Sequence, residues 1–476
     1  MAATLREKSV YRTNLYFCSA LLALDNGGIG RRTSGLMGDK SFRGGLQEGG
    51  SEPRSTAVRQ SRLPGVLASL RHRNFRLFIT GQMISLIGTW MQSIAQSWLV
   101  YRLTHSSALL GLVVFAGQMP VLLLATIGGT VADRHSRHRI VIATQVASMV
   151  LAFVLAGLTL SGLIQVWQIF VLSISLGIVN AFDIPARQAF IVEMVGRENL
   201  TNAIALNSSV FNGARIVGPA VAGVLVAAIG EGWCFFANGA SYVAVIAGLL
   251  LMDIRPVAPL RPAGSTLAHI AEGFRFVWKS RPIRALLLLL GVTSLTGMPY
   301  TVLMPIFADQ ILHGGARGLG ILMGLSGIGA LTGALFLAAR PSLRGLGRVI
   351  AGSSLGFGTS LVLFGLSKAF WLSGLVLIAL GFFMLSQMAS SNSVIQAMSP
   401  DRLRGRVMAV YSMMFIGMAP FGALFAGFLA DRVGAPLTVI VGGVCCATAS
   451  LVFGSRLSSL RAEARKLITD RTLETP

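Results

Sequence analysis

Asp183, Arg187 and Arg215 lie inside otherwise apolar runs of this 476-residue sequence, where a carboxylate and two guanidinium groups could take up and release a proton. Asp183 and Arg187 are four apart in the run 167–189, so a helix puts them on one face. Arg215 sits near the middle of the run 203–229, just before Gly218-Pro219. A charge inside hydrocarbon costs roughly 2.5–3.5 kcal/mol on insertion scales, so each of the three needs a partner or a task. Two readings stand. In one, the charges form a structural ion pair, Asp183 with Arg187 or, because an arginine reaches several ångströms along a helix, with Arg215. In the other, Asp183 takes up a proton and loosens its hold on either arginine.

Three further sets of residues have chemical potential. The short hinge Gly128–Arg139 places Asp133 among Arg134, Arg137 and Arg139 at the edge of two apolar runs, where its simplest role is to offset those arginines. Gly218, Pro219 and Gly223 bring either a helix bend or tight packing into the fifth run. Gln92, Gln96, Asn180, Gln387, Met388 and Asn392 are amides and a thioether at mid-run depth. Such groups suit a large, uncharged or weakly charged solute of mixed polarity, although methionines at helical spacing also fill cores.

Other chemistries have no support. No Walker Gly-Lys-Ser/Thr is present, and Gly318-x-Gly320 and Gly327-x-Gly329 lie in an apolar run with no preceding strand, so no nucleotide is expected. Gly320-x-x-x-Gly324 and Gly329-x-x-x-Gly333 read as helix-packing faces instead. The histidines are scattered apart from His135 and His138, and the four cysteines lack metal spacing, so neither a metal nor another cofactor is expected. No nucleophile and base stand at a useful spacing, which excludes an enzyme reading.

The elements that must position these residues are membrane spans. The chain is 53% hydrophobic and 12% charged with mean hydropathy +0.70, against roughly 25% charged in an ordinary soluble domain. Twelve apolar runs follow the amino-terminal segment, at 77–102, 108–132, 139–161, 167–189, 203–229, 233–253, 283–308, 317–339, 346–367, 369–397, 406–430 and 436–455. Each is about the 20 residues that cross a hydrocarbon core. Net charge is +22, which in a soluble chain would point to nucleic acid. Here arginine crowds the loops on one side, whereas the other side carries Arg102, Arg317, Lys368 and Arg432. The positive-inside rule then puts both termini in the cytoplasm, with anionic lipid headgroups and no nucleic acid as the partners.

Residues 1–73 read as a disordered cytoplasmic tail. Its apolar patch Leu15–Leu24 follows Arg6, Lys8 and Arg12 and imitates a signal peptide, but cleavage there would strand Arg54, Arg59 and Arg62 outside; Met37 is an equally good start. The linker 255–282 carries Leu267, Ile270, Ala271, Phe274 and Trp278 at helical spacing behind Ser265, a candidate N-cap, and predicts a helix on the inner membrane surface.

The two halves repeat: Met194-Val-Gly-Arg-Glu-Asn-Leu200 answers Ala397-Met-Ser-Pro-Asp-Arg-Leu403, and Gly218-Pro219 answers Ala419-Pro420. Together with Gly129-x-x-x-Asp133-Arg134-x-x-Arg137-x-Arg139, this resembles the major facilitator superfamily, with Ser136 where a second glycine usually stands and His138 at a usually basic position. Asn180-Ala-Phe-Asp-Ile-Pro-Ala-Arg-Gln-Ala189, Asn212-Gly-Ala-Arg-Ile-Val-Gly-Pro219 and Glu272-Gly-Phe-Arg-Phe-Val-Trp278 narrow the resemblance to its enterobactin-exporter and drug–proton antiporter branch, over about residues 70–455.

The resemblance implies an all-α transmembrane protein of twelve helices in two parallel six-helix bundles, 74–254 and 283–456, followed by a cytoplasmic tail 457–476. It further implies a monomer in a bacterial inner membrane that exports a siderophore, drug or metabolite against proton entry. The first, fourth, seventh and tenth spans would line the cavity with the amides and thioether named above. Asp133 would latch the halves by facing the start of the eleventh span near Gly405–Arg406, Gly129 would allow close helix approach, and Gly218-Pro219 would act as an antiporter-type bend. An uncoupled facilitator and a non-transporting sensor or scaffold are the alternatives.

Overall fold

The computed structural model describes residues 69–196, 198–253, 266–340, 345–400 and 402–474. The tail up to 68, its signal-like patch, Met37 and the Ser265 cap lie outside these residues. The described chain is helical throughout. Helices α1 (Arg73–Thr104), α2 (Ser107–Arg134), α3 (Arg137–Leu160), α4 (Val166–Val195), α5 (Leu200–Ile229) and α6 (Glu231–Leu250) form one packed group. A surface helix α7 (Thr266–Lys279) leads into the second group. This contains α8 (Arg281–Val292), α9 (Tyr300–Ile306), α10 (Gly315–Ala338), α11 (Leu346–Leu366), α12 (Phe370–Met398), α13 (Arg404–Phe415), α14 (Ala419–Val433) and α15 (Ala435–Ser455), and a last helix α16 (Leu457–Glu474) packs beneath it.

Helix is the only spanning form in which each backbone N–H and C=O finds a partner within its own segment. The stops are local. His105 closes α1 in the left-handed conformation at φ 48 with its N–H on the Tyr101 carbonyl, and Gly230 and Gly434, at φ 88 and 87, turn the chain where an L side chain would be strained. Large apolar side chains face outward along the bundle, among them Leu123, Trp167, Leu250, Trp371 and Phe425. Only a hydrocarbon solvent tolerates such a surface.

Among the described residues, eleven segments are long and apolar enough to cross a membrane. The exception is α1, which has the length, at 32 residues, but carries Gln82, Gln92 and Gln96. Two of those amides are spent inside the group: Asn238 Nδ2 donates to Gln92 Oε1 at 2.7 Å, and Gln96 Nε2 to Ser173 Oγ at 2.9 Å.

The seventh and eleventh runs are not single α-helices. The seventh, Arg281–Ile311, passes from α8 through a π-helical segment Thr293–Gly297 to α9 and a second π segment Phe307–Ile311. Glycines accommodate it: a Cβ at Gly422 or Gly442 would strike the Leu295 or Thr296 carbonyl. The eleventh breaks between α13 and α14, where Pro420 cannot donate into the preceding turn, and the Ser294 hydroxyl donates to the Phe415 carbonyl at the break.

Structure reaches into both segments read as tails. Ser69 donates through its N–H and hydroxyl to Asn202 Oδ1, at 3.0 and 2.7 Å, so the last few residues before α1 are pinned to α5. At the other end, Leu457, Leu460, Ala464 and Leu467 of α16 pack on the second group. The linker helix is found where the periodicity put it. It is docked by protein contacts as well as by its amphipathic face: Val277 is buried, Gly273 lies against the Arg406 backbone, and Glu272 pairs with Arg402 and Arg406.

Candidate functional site

Asp183 lies in the interior of the first group and is 4% exposed. One carboxylate oxygen accepts from Thr144 Oγ1 at 2.8 Å and Gln145 Nε2 at 3.0 Å, both on α3, and the other meets Arg187 Nε at 3.0 Å. The i,i+4 spacing on α4 produces the ion pair expected from the sequence. Thr144 and Gln145 were not among the expected partners, because hydroxyls and amides in a helix carry no signal without their neighbour across the interface.

Thr144 Oγ1 is also 2.9 Å from the Val141 carbonyl. A hydroxyl has one proton, so these two bonds are alternatives. With Asp183 ionised, the proton turns to the carboxylate. With Asp183 protonated, the acid donates to Thr144 Oγ1 and the threonine proton turns to Val141. Both states of the carboxyl are thus hydrogen-bonded, which is what a buried proton-carrying group requires.

The expected pairing of Asp183 with Arg215 is absent. Arg215 makes no ion pair or hydrogen bond with a described residue, and Tyr300 on α9 is the ionisable group whose field it meets. The reason is rotational. Arg215 stands on the side of α5 that looks across the groups, whereas Asp183 is enclosed between α4 and α3.

The two ends of the molecule differ. At one end the groups are joined. Asp431, at the close of α14, accepts from Ser107 N at 3.0 Å and Ala108 N at 3.3 Å, with Ser106 Oγ at 3.4 Å, so it caps the amino terminus of α2. Carboxylates are favoured there, where free N–H groups and the helix dipole concentrate positive potential. Nearby, the Tyr101 hydroxyl donates to Asp309 Oδ2 at 2.8 Å. Close backbone approach completes the seal: a Cβ at Gly427 would lie 3.0 Å from Gly111 Cα, and one at Gly320 2.6 Å from Gly223 Cα. Gly223 therefore packs α5 on α10, and Gly218 packs α5 on α1 beside Trp90. Pro219, between them, lends its carbonyl to the Gly320 contact.

At the other end, among the described residues, Asp133 meets Arg137 on its own side, at 3.5 Å. Arg137 is held more closely by Glu193 of α4, at 2.8 Å, a partner not foreseen from the sequence. The expected neighbour of Asp133, Arg406, is bound to Glu272. A Cβ on Gly129 would meet nothing within 4 Å, so the close approach expected there falls instead on Gly128, where a side chain would strike the Ala181 carbonyl. Arg134 and Arg139 are exposed.

Asp431 was likewise not foreseen, although a signal for it exists. Gly427-Phe-Leu-Ala-Asp431-Arg432 repeats the pattern of Gly129-Thr-Val-Ala-Asp133-Arg134, at the opposite end of the bundle. We expect Asp431→Ala to free the α2 amino terminus and loosen this end by about 1–2 kcal/mol, the usual worth of a charged cap. Spin-label distances between Ser106 and Arg432 positions should lengthen; unchanged distances would count against a sealing role.

The residues expected to line a cavity divide. Gln92, Gln387 and Asn392 are buried between helices, the last two bonded to Thr293 at 2.9 Å and Gln396 at 2.5 Å, and they offer no open surface. Gln96, Asn180 and Met388 remain half-buried.

With this geometry the chain is similar to known transport proteins. A family model described as transmembrane secretion effector matches residues 64–476. A staphyloferrin A transporter of Staphylococcus aureus is 27% identical, covering 82% of this chain and 98% of its own. An enterobactin exporter of Shigella boydii is also 27% identical, over 83% of this chain and 93% of that protein. In fold, the nucleoside transporter NupG superposes with TM-score 0.61 at 16% identity, covering 83% of this chain and 99% of that one.

Proposed function

Because the chain belongs to the transmembrane secretion effector family of the major facilitator superfamily, and is therefore a multi-pass membrane transporter and not an enzyme, we propose that it exports a small organic solute across a bacterial inner membrane by proton antiport. In this reading α1 is the twelfth span, its amides buried against α6 and α4, and a monomer with both termini in the cytoplasm carries out transport. The bundles would run over 74–254 and 283–456, joined by the linker 255–282.

The observation that carries the proposal is the asymmetry of the two ends: sealed where Asp431 caps α2, unlatched where the described partner of Asp133 is Arg137 of its own group. The arginine-rich loops assign the unlatched end to the cytoplasm. The molecule is then open inward, ready to load. In the opposite state, Asp133 would cap the start of α13 at Gly405–Arg406 as Asp431 now caps α2, and the two Gly-x-x-Ala-Asp-Arg strings would act as alternating clasps. We expect Asp133→Asn to remove transport while leaving insertion and the sealed end intact, since it weakens only the outward-facing state. Normal export by this variant would end the clasp idea.

Asp183 is the proton carrier in this scheme. Proton entry at −100 mV supplies ~2.3 kcal/mol, and a unit of pH supplies ~1.4 kcal/mol more. The test is uptake by inverted vesicles of a panel of catecholate siderophores, dyes and antibiotics, with and without a collapsed proton gradient. The cargoes named for two relatives put siderophores first in that panel. Uptake that stops on collapse supports antiport, and uptake that continues downhill would leave an uncoupled facilitator.

A further inference from the structure

Resting on the transporter reading above, we propose that Arg215 is the seat of a negatively charged group of the cargo, so that the solute is an organic anion bearing a carboxylate.

Charge balance is the first ground. Asp183 and Arg187 neutralise each other at 3.0 Å. Arg215 has no counter-charge and no hydrogen bond among the described residues, so the middle of α5 carries a net positive charge. Tyr300, the ionisable group closest in effect, has its hydroxyl committed to Ser326 at 3.0 Å.

Direction is the second ground. On α5, Phe211 and Gly218 face α1 through Trp90, while Ile216 and Gly223 face α10 through Gly327 and Gly320. Val217 and Val224 are exposed to the surroundings. At 100° per residue, Arg215 falls between the α1 and α10 stripes, roughly 160° from Val217, and so points inward where the two groups meet. It keeps partial exposure although Ala214, Gly218 and Pro219 around it are buried. An inward-pointing guanidinium with no described partner faces the interior between the two groups, not lipid.

Chemistry then selects the ligand. The guanidinium fork matches the two oxygens of a carboxylate, and it cannot shed its charge. An anion is the partner that relieves an uncompensated buried cation. Exposed Arg134 and Arg139 at the open end would raise the local concentration of such an anion. The uncharged solute expected from the amides alone is replaced by this reading.

Equilibrium binding to the purified protein separates this proposal from the export reading, since it needs neither vesicles nor a gradient. Fluorescence polarisation would compare carboxyfluorescein, an anionic probe, with rhodamine 6G, a cationic probe of similar ring system. We expect the anion to bind at least tenfold more tightly, Arg215→Gln to lose that tenfold, and Arg215→Lys to keep part of it. Citrate should displace carboxyfluorescein from the unaltered protein, and spermidine should not, which gives a readout even if the variants fail to fold. Equal binding of the two dyes, no binding of the anion, or unchanged anion binding in a folded Arg215→Gln protein would each overturn the proposal.

Discussion

Asp183→Asn is expected to abolish gradient-driven accumulation while leaving exchange of solute across the membrane. With one proton exchanged per turnover, the proton's own share from a potential of −100 mV and a unit of pH is ~3.7 kcal/mol, or roughly a 500-fold concentration ratio before the cargo's own charge is counted. Asparagine preserves the shape of the site. Its Oδ1 can still accept from Thr144 or Gln145, which now lie 2.8 and 3.0 Å from the carboxylate. It cannot carry a proton, and it leaves Arg187 unpaired. Arg187 is 26% exposed, so it can extend toward water, and the stability lost should be about 1–2 kcal/mol, well short of the 3–5 kcal/mol of a fully enclosed pair. Tyr242, on α6, is the other titratable group within reach of Asp183 and remains in the variant. With the potential clamped to zero, accumulation driven by the pH gradient alone should therefore drop to a ratio near one in inverted vesicles, with counterflow retained. A variant that still concentrates solute against that gradient as the unaltered protein does would show that another group carries the proton.

Gly320→Leu is expected to be the most damaging steric change, because it acts on one conformational state alone. At Gly320 a Cβ would already lie 2.6 Å from both Gly223 Cα and the Pro219 carbonyl, which are backbone atoms that cannot swing aside. A leucine must push α10 away from α5. Overpacking of a tight contact costs about 1–3 kcal/mol, and 3 kcal/mol spent on the sealed state alone shifts the population roughly 150-fold. The protein should insert and fold normally but remain open at the Asp431 end, with transport lost. Labelling of an engineered thiol facing the α5–α10 seam from the outer side should become fast. Transport and labelling rates like those of the unaltered protein would mean that the Gly223–Gly320 crossing is not part of the moving seal. Alanine at the same position should give an intermediate effect, since it adds the Cβ without the branched end.

Much of this protein can be read from local pattern. Apolar runs of bilayer length, interrupted by arginine-rich loops on one side, fix helices and their order because lipid leaves the backbone no other partner. The ion pair of Asp183 and Arg187 is equally legible, since residues four apart on a helix always share a face. So is the role of Gly320 and Gly324 on one side of α10 and Gly329 and Gly333 on the other, where a Cβ at 329 or 333 would meet the backbone of α12.

What stays hidden depends on which helix stands opposite which. Thr144 and Gln145 are ordinary polar residues until α3 is laid against Asp183. Arg215 pairs with Asp183 only if helix rotation is ignored; the packing of Gly218 on α1 and Gly223 on α10 sets that rotation and leaves the arginine without a partner among the described residues. Asp133 and Asp431 carry the same local string, and nothing in that string makes one reach across to the other group and the other pair within its own. Their difference comes from what stands opposite each: the amino terminus of α2 beside Asp431, and Arg137 of its own group beside Asp133. Local pattern therefore settles the spans, their order and the charges available, because those follow from each segment's own contact with lipid and water. Packing settles which charge is neutralised, which stands without a described partner and which end is joined across the two groups, because each of those is a property of two helices at once.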